Sequence, residues 1–183
     1  MTRRAVFAGA IAMCAAGFGS VAALGQAGSG AMSGMAMAKP QAPLSTSLTV
    51  TVDGKATVFS VADLNAMPQD TVKVHNAHNN MDETYTGVPL SDLLAKAGFV
   101  ADKTTQQKML HSYLRVEGTD KYWVVYSVTE VEGSEHTGGV FVATSTDGKG
   151  LGADGNFKLV STADKKPQRW VRNLEAITLK SAE

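Results

Sequence analysis

The stretch from Val72 to Gly98, VKVHNAHNNMDETYTGVPLSDLLAKAG, restricts the possible folds more than any other part of the chain. Val72 and Val74 alternate with Lys73 and His75, the period of a half-buried strand. Asn79-Asn80 and Asp82-Glu83 then supply turn chemistry, because short polar side chains bond nearby backbone and tolerate unusual dihedrals. Pro89 suits the first position of a helix, where its missing N–H costs nothing. Leu90, Leu93, Leu94 and Ala97 follow at helical spacing, and Gly98 can close the helix in a left-handed cap. The pattern predicts a strand that delivers His75 and His78 to a loop mouth, with a helix pinning that loop to the core.

Residues 1–27 read as a signal peptide to be excluded from the fold. Arg3 and Arg4 precede an apolar Ala/Gly-rich run, Ala5 to Leu24, and Gly25 and Ala27 resemble a cleavage site. Thr2-Arg3-Arg4-Ala5-Val6-Phe7 also looks like a twin-arginine export signal. The expected location is periplasmic, with membrane contact only through an uncleaved signal segment. Residues 28–44 read as a flexible Met/Gly-rich tether, in which Met32, Met35 and Met37 are either thioether donors for Cu(I) or simple composition. The folded domain is expected over 45–183.

Cys14 is the only cysteine and lies in the signal, so the exported chain makes no disulfide, thiolate nucleophile or cysteine–metal bond. Without Arg3 and Arg4 the basic residues fall below the 17 acidic ones, and no basic run exists, which argues against nucleic-acid binding.

Along the domain, Leu48–Val52 alternates as a strand and Asp53-Gly54 turns it into Lys55–Phe59. Ser60 with Asp63 caps a short helix, Val61–Met67, closed by Pro68. Beyond Gly98, the polar segment Asp102–Lys108 leads to strands Leu110–Val116 and Tyr122–Val128 across a Gly118-Thr119-Asp120 turn. Ser127–Glu130 resembles another cap, and further strands are expected at Val140–Ala143, Phe157–Val160 and Trp170–Leu179. About eight short strands with two or three short helices make the fold class α+β, with a mixed, mainly antiparallel sheet.

The order of motifs resembles the sulfite-oxidase-type molybdopterin-binding domain. Tyr85 to Gly98 is similar to that family's GVPL–helix–Gly block, and Glu117-Gly118-Thr119-Asp120-Lys121-Tyr122 to its Gly-Asp-Gly-Tyr turn. Gly155-Asn156-Phe157-Lys158-Leu159-Val160, followed by Arg169-Trp170-Val171-Arg172, looks like its late block. The resemblance spans roughly 45–179 and implies a molybdopterin-dependent oxidoreductase. It also implies a molybdenum-ligating cysteine at the end of the strand before GVPL, where this chain has His75-Asn76-Ala77-His78-Asn79. The molybdenum–thiolate bond of that family therefore cannot form, and molybdopterin is doubtful as a cofactor.

Two constellations remain as candidates. His75 and His78, near Met81, Asp82 and Glu83, are metal ligands or hydrogen-bonding loop residues; in an extended strand they would point to opposite faces unless the chain turns at Asn76 or Ala77. Lys165, Lys166, Arg169 and Arg172 cradle an oxyanion or pterin phosphate, with Arg169 as a bidentate fork, or form a solvated face. The cofactor-binding candidates are accordingly His75, Asn76, His78, Lys166 and Arg169, around a pocket between His75–Asn80 and Lys165–Arg172. Trp123 and Trp170 read as core aromatics, Tyr126 as a core tyrosine, and Glu130 as a helix cap. His111 and His136 have no partner motif, and no nucleophile elbow marks a hydrolase. Two functions remain open. The first is an exported, degenerate molybdopterin-dependent-oxidoreductase-like domain. The second is a cofactor-free binding module for a metal ion, a small anion or a protein partner, including a redox partner.

Overall fold

Two sheets face each other across one apolar layer in the computed structural model, which describes residues 42–133 and 139–182. The expected signal peptide, most of the tether and His136 lie outside the described residues. The first sheet contains β1 (Leu48–Val52), β2 (Lys55–Phe59), β5 (Ser112–Gly118), β6 (Trp123–Ser127) and β10 (Leu174–Ser181) in the order β2-β1-β10-β5-β6. Its pairings are antiparallel except for β1 with β10, which run parallel. The second sheet orders β3 (Asp70–Asn76), β4 (Met81–Pro89), β7 (Val140–Thr146) and the two-residue β8 (Lys149–Gly150), with β9 (Lys158–Ser161) also paired to β7. Four short helices complete the fold: α1 (Val61–Asn65), α2 (Leu90–Lys96), α3 (Gln106–Leu110) and α4 (Val128–Val131). The architecture is the expected mixed, mainly antiparallel sheet structure with short helices.

Strand alternation decides which side chains meet. Leu48, Val50, Leu114, Val116, Tyr126 and Ile177 of the first sheet point inward, against Val88, Val142 and Leu159 of the second. The second sheet is apolar on its other face too, where Val74, Tyr85, Ala143, Val160 and Trp170 form a smaller cluster. Leu90, Leu93 and Leu94 of α2 are buried in the main core, which stabilises the helix by about 2 kcal/mol per side chain as an upper figure. Gly98 ends that helix with φ +102°, as the sequence predicts. Ser60 and Asp63 exchange both bonds of a capping box at the start of α1.

Gly87 is fixed by space. A Cβ there would lie 2.2 Å from the Val142 carbonyl oxygen, because β4 and β7 approach closely where their register shifts.

Three elements differ from the sequence reading. Asp82 and Glu83, expected in a turn, belong to the full strand Met81–Pro89; only residues 77–80 turn, and Thr84, Tyr85 and Thr86 pair with β3. Residues 106–110, expected as a polar lead-in and strand start, form α3, which buries Met109. Trp123, expected in the core, is 53% exposed on the outer face of β6.

Candidate functional site

The β3–β4 hairpin builds one wall of a cleft from local hydrogen bonds. Asn76 is the last residue of β3, and its side-chain oxygen accepts from the His78 N–H at 3.0 Å, an Asx turn. Asn79 accepts from the Met81 N–H in the same way, and Asn80 adopts φ +55°. Both asparagine amides then donate to one carboxylate, Asn76 to Glu83 Oε2 at 3.1 Å and Asn79 to Oε1 at 2.7 Å. Glu83 therefore ties the turn together from β4.

From Glu83 the network runs inward. The Tyr85 hydroxyl donates to Glu83 Oε2 at 2.6 Å, and Lys158 Nζ donates to the Tyr85 oxygen at 2.6 Å and to Asp154 Oδ2 at 2.7 Å. Lys158 sits on β9 with its side chain only 8% exposed, a position that lysine occupies only when paired. Its ammonium also lies 4.7 Å from the Tyr85 ring centre and 5.7 Å from that of Trp170, which meet edge to face. The Trp170 indole N–H donates to the Ser161 carbonyl at 3.1 Å, which fixes the ring.

The network sets its own protonation states. Burial pushes the Tyr85 hydroxyl far above the ordinary phenol range, and its bond to anionic Glu83 pushes it further, so it acts as a fixed donor. Burial alone would raise Glu83, but donation from Tyr85, Asn79 and Asn76 outweighs it and holds the carboxyl below its usual range.

Over this floor lies an open cleft of about 320 Å³. Asn76 and His78 line one side, Lys158 and Trp170 the base, and Gln168 and Arg172 the other side. Of the ammonium's three donors, Tyr85 and Asp154 take two. Arg172 is 67% exposed, and its contact with Asp154 is a loose 3.9 Å. Both cations thus have donors left for an incoming acceptor.

The sequence-predicted residues separate in space. Asn76 and His78 line the cleft. His75 occupies the alternate strand position, exposed where Asn76 is buried, and its Nδ1 lies 2.9 Å from Asp82, which also pairs with Lys73 at 3.0 Å. These two partners hold the Asp82 carboxyl low, and the neighbouring ammonium makes the spot unfavourable for a cation. Among the described residues no three His, Cys, Asp or Glu side chains converge as a metal site. Lys165 and Lys166 are exposed in the loop before Pro167.

Arg169 carries the fork geometry that the sequence suggests, but protein carboxylates fill it. It donates to Glu130 at 2.7 and 3.2 Å and to Asp164 through Nε and Nη2, and it stacks 4.4 Å over the Tyr126 ring. The Glu130 bond foremost, and Asp164 with it, push the guanidinium further up. This group anchors the 164–169 segment to β6 and α4. The sequence assigns no site role to Lys158 or Tyr85, and it places Glu83 only beside the His75/His78 pair. The available signal was a lysine interrupting the apolar run Phe157-Lys158-Leu159-Val160.

No protein-family model and no curated protein sequence matches the chain. Among solved structures it is similar to the sulfane dehydrogenase SoxCD from Paracoccus pantotrophus, with a TM-score of 0.56 and 20% sequence identity. The match covers 75% of this chain and 38% of that one. What the two share is the fold.

Those residues do not fit a molybdenum–thiolate centre. The window 75–79, where the resemblance implies the cysteine, holds no thiol; within it Asn76 ends the strand, its amide committed to Glu83 and its oxygen to the His78 N–H. Cys14, the only thiol, belongs to the N-terminal segment.

Proposed function

We propose that this chain is an exported domain on the fold of the molybdopterin-dependent oxidoreductases that has lost the molybdenum centre and keeps the cleft as a binding site for a small anion. The supporting observation is the cleft itself: it is lined by Asn76 and His78, from the 75–79 window where the resemblance implies a cysteine, and it offers hydrogen-bond donors but no thiol or thioether. The spare Lys158 donor and the weakly held Arg172 guanidinium give the cleft its preference for negative charge. Its volume, at the lower end of the range of about 300–1,000 Å³ for small-molecule pockets, suits a small anion or one end of a larger molecule. Export rests on Arg3, Arg4 and the apolar run behind them.

Titration calorimetry of the exported protein with sulfate and with succinate tests the reading. Saturable one-site binding to either anion, lost in Arg172→Gln, is the expected result. No binding of either, or equal binding by the variant, would overturn it.

A second reading, a pterin-loaded oxidoreductase without a protein ligand to molybdenum, is favoured by Thr2-Arg3-Arg4, since twin-arginine export carries prefolded proteins. Elemental analysis with pterin fluorescence separates the two. The binding module contains neither molybdenum nor pterin, whereas molybdenum near one equivalent would establish the enzyme.

A further inference from the structure

The first sheet ends in β6, and β6 differs from the other exposed edges. β2 carries Lys55, β3 carries Asp70 and Lys73, and β8 carries Lys149, the charges that keep free edges from pairing. The sequence of β6 is WVVYS, with no charge and no proline. Its partner β5 lies on one side only. The Gly118 N–H bonds the Tyr122 carbonyl, so by antiparallel alternation Val124 and Tyr126 face β5. The N–H and C=O of Trp123 and Val125 therefore point off the sheet, with no backbone partner among the described residues.

The outer face of this edge is apolar as well. Trp123 is 53% and Val125 41% exposed, and Leu110, at 61%, lies close by. A hollow of about 510 Å³ opens there, lined by Leu110, His111, Tyr113, Val125 and Ser127.

We propose that β6 pairs antiparallel with β6 of a second copy of this chain, about a two-fold axis through Val125. The register follows from which residues have outward backbone groups: Val125 faces Val125, and Trp123 faces Ser127 of the other copy. Ser127 is cross-strand from Tyr113 and lines the hollow, so each indole enters the hollow of the opposite copy. The surface is thus self-complementary, as a two-fold interface requires. No charges oppose across the junction. Arg115, cross-strand from Val125, stacks 5.1 Å from its own Trp123, and the two copies of Arg115 stand three strand spacings apart, roughly 14 Å, beyond the Debye length of about 8 Å. One five-residue strand and two indoles make a small interface, below about 1,200 Å², so the dimer is weak and depends on concentration.

Sedimentation velocity on the full chain from about 1 to 300 µM tests the pairing, the range over which a micromolar dimer forms. The wild type is expected to shift from monomer to dimer across this range. Val125→Lys and Val125→Glu, both at an exposed position, are each expected to remain monomeric with unchanged circular dichroism. Mixed together, the two variants should associate again, because unlike charges then face across the axis. A wild type that stays monomeric would overturn the proposal. So would single variants that dimerise like the wild type, or a mixture that stays monomeric.

Discussion

Replacing Lys158 by methionine isolates the part that one buried ammonium plays in holding the cleft together. Methionine keeps most of the stem, so packing between Tyr85 and Trp170 survives while the charge and its two hydrogen bonds disappear. Asp154 then keeps only the distant Arg172, and the Glu83–Tyr85 pair loses its counter-charge. Breaking a fully buried pair from one side costs about 3–5 kcal/mol. Asp154 is 25% exposed, so water recovers part of this, and a loss of about 2–3 kcal/mol is expected. With a urea dependence of about 1.5 kcal/mol per molar, the unfolding midpoint should fall by about 1.3–2 M without a change in slope. Adding Asp154→Asn removes the orphaned charge, and the double variant should recover about half of the loss. A drop of less than about 1 kcal/mol, or a double variant as unstable as the sum of the singles, would refute the coupled network.

Three further outcomes follow from the geometry. The folded pKa of Glu83 is depressed, so its contribution is complete above the unfolded carboxyl value and is lost as pH falls through the folded one; Glu83→Gln should flatten the acid limb of midpoint against pH, and an unchanged limb would exclude Glu83 as its source. Gly87→Ala forces the β4 and β7 backbones apart and should cost about 2 kcal/mol or more by thermal unfolding, whereas Gly148→Ala, at φ +73° with open space around it, should cost only about 1 kcal/mol. Arg169→Lys removes the double fork to Glu130 and Asp164 and should lower stability by about 1–2 kcal/mol while leaving sulfate and succinate titrations unchanged; altered anion affinity would place Arg169 in the site after all.

Local chemistry made much of the fold legible. The Asp53-Gly54 hairpin, the Ser60/Asp63 capping box and the Pro89–Gly98 helix each depend on residues a few positions apart, and each stands where the sequence places it. β4 was hidden because Asn79 and Asn80 just before it, and Asp82 and Glu83 at its start, look like turn residues, while its strand character comes from pairing with β3 and β7. The site was less legible because its bonds span the chain: Lys158 meets Tyr85 across 73 positions, and Glu130 reaches Arg169 across 39. A forked guanidinium in a basic loop looks like an anion receptor until its acids are found. Trp123 misled for another reason: an alternating apolar strand gives no sign of which face is covered.

The parallel pairing of β1 with β10 bears on how the domain comes into being. Among the described strands, the first and the last in chain order lie side by side in the first sheet, with β10 between β1 and β5. While residues 174–181 are still being synthesised, that sheet is two separate fragments, each with an open edge and an apolar face. Closing it requires a contact between residues more than a hundred positions apart, Val50 with Ile177, which favours slow, late folding over stepwise folding on the ribosome. Until β10 has emerged, the nascent chain therefore exposes both fragments, with their open edges and apolar faces. Whatever escorts it must hold on until β10 is in place.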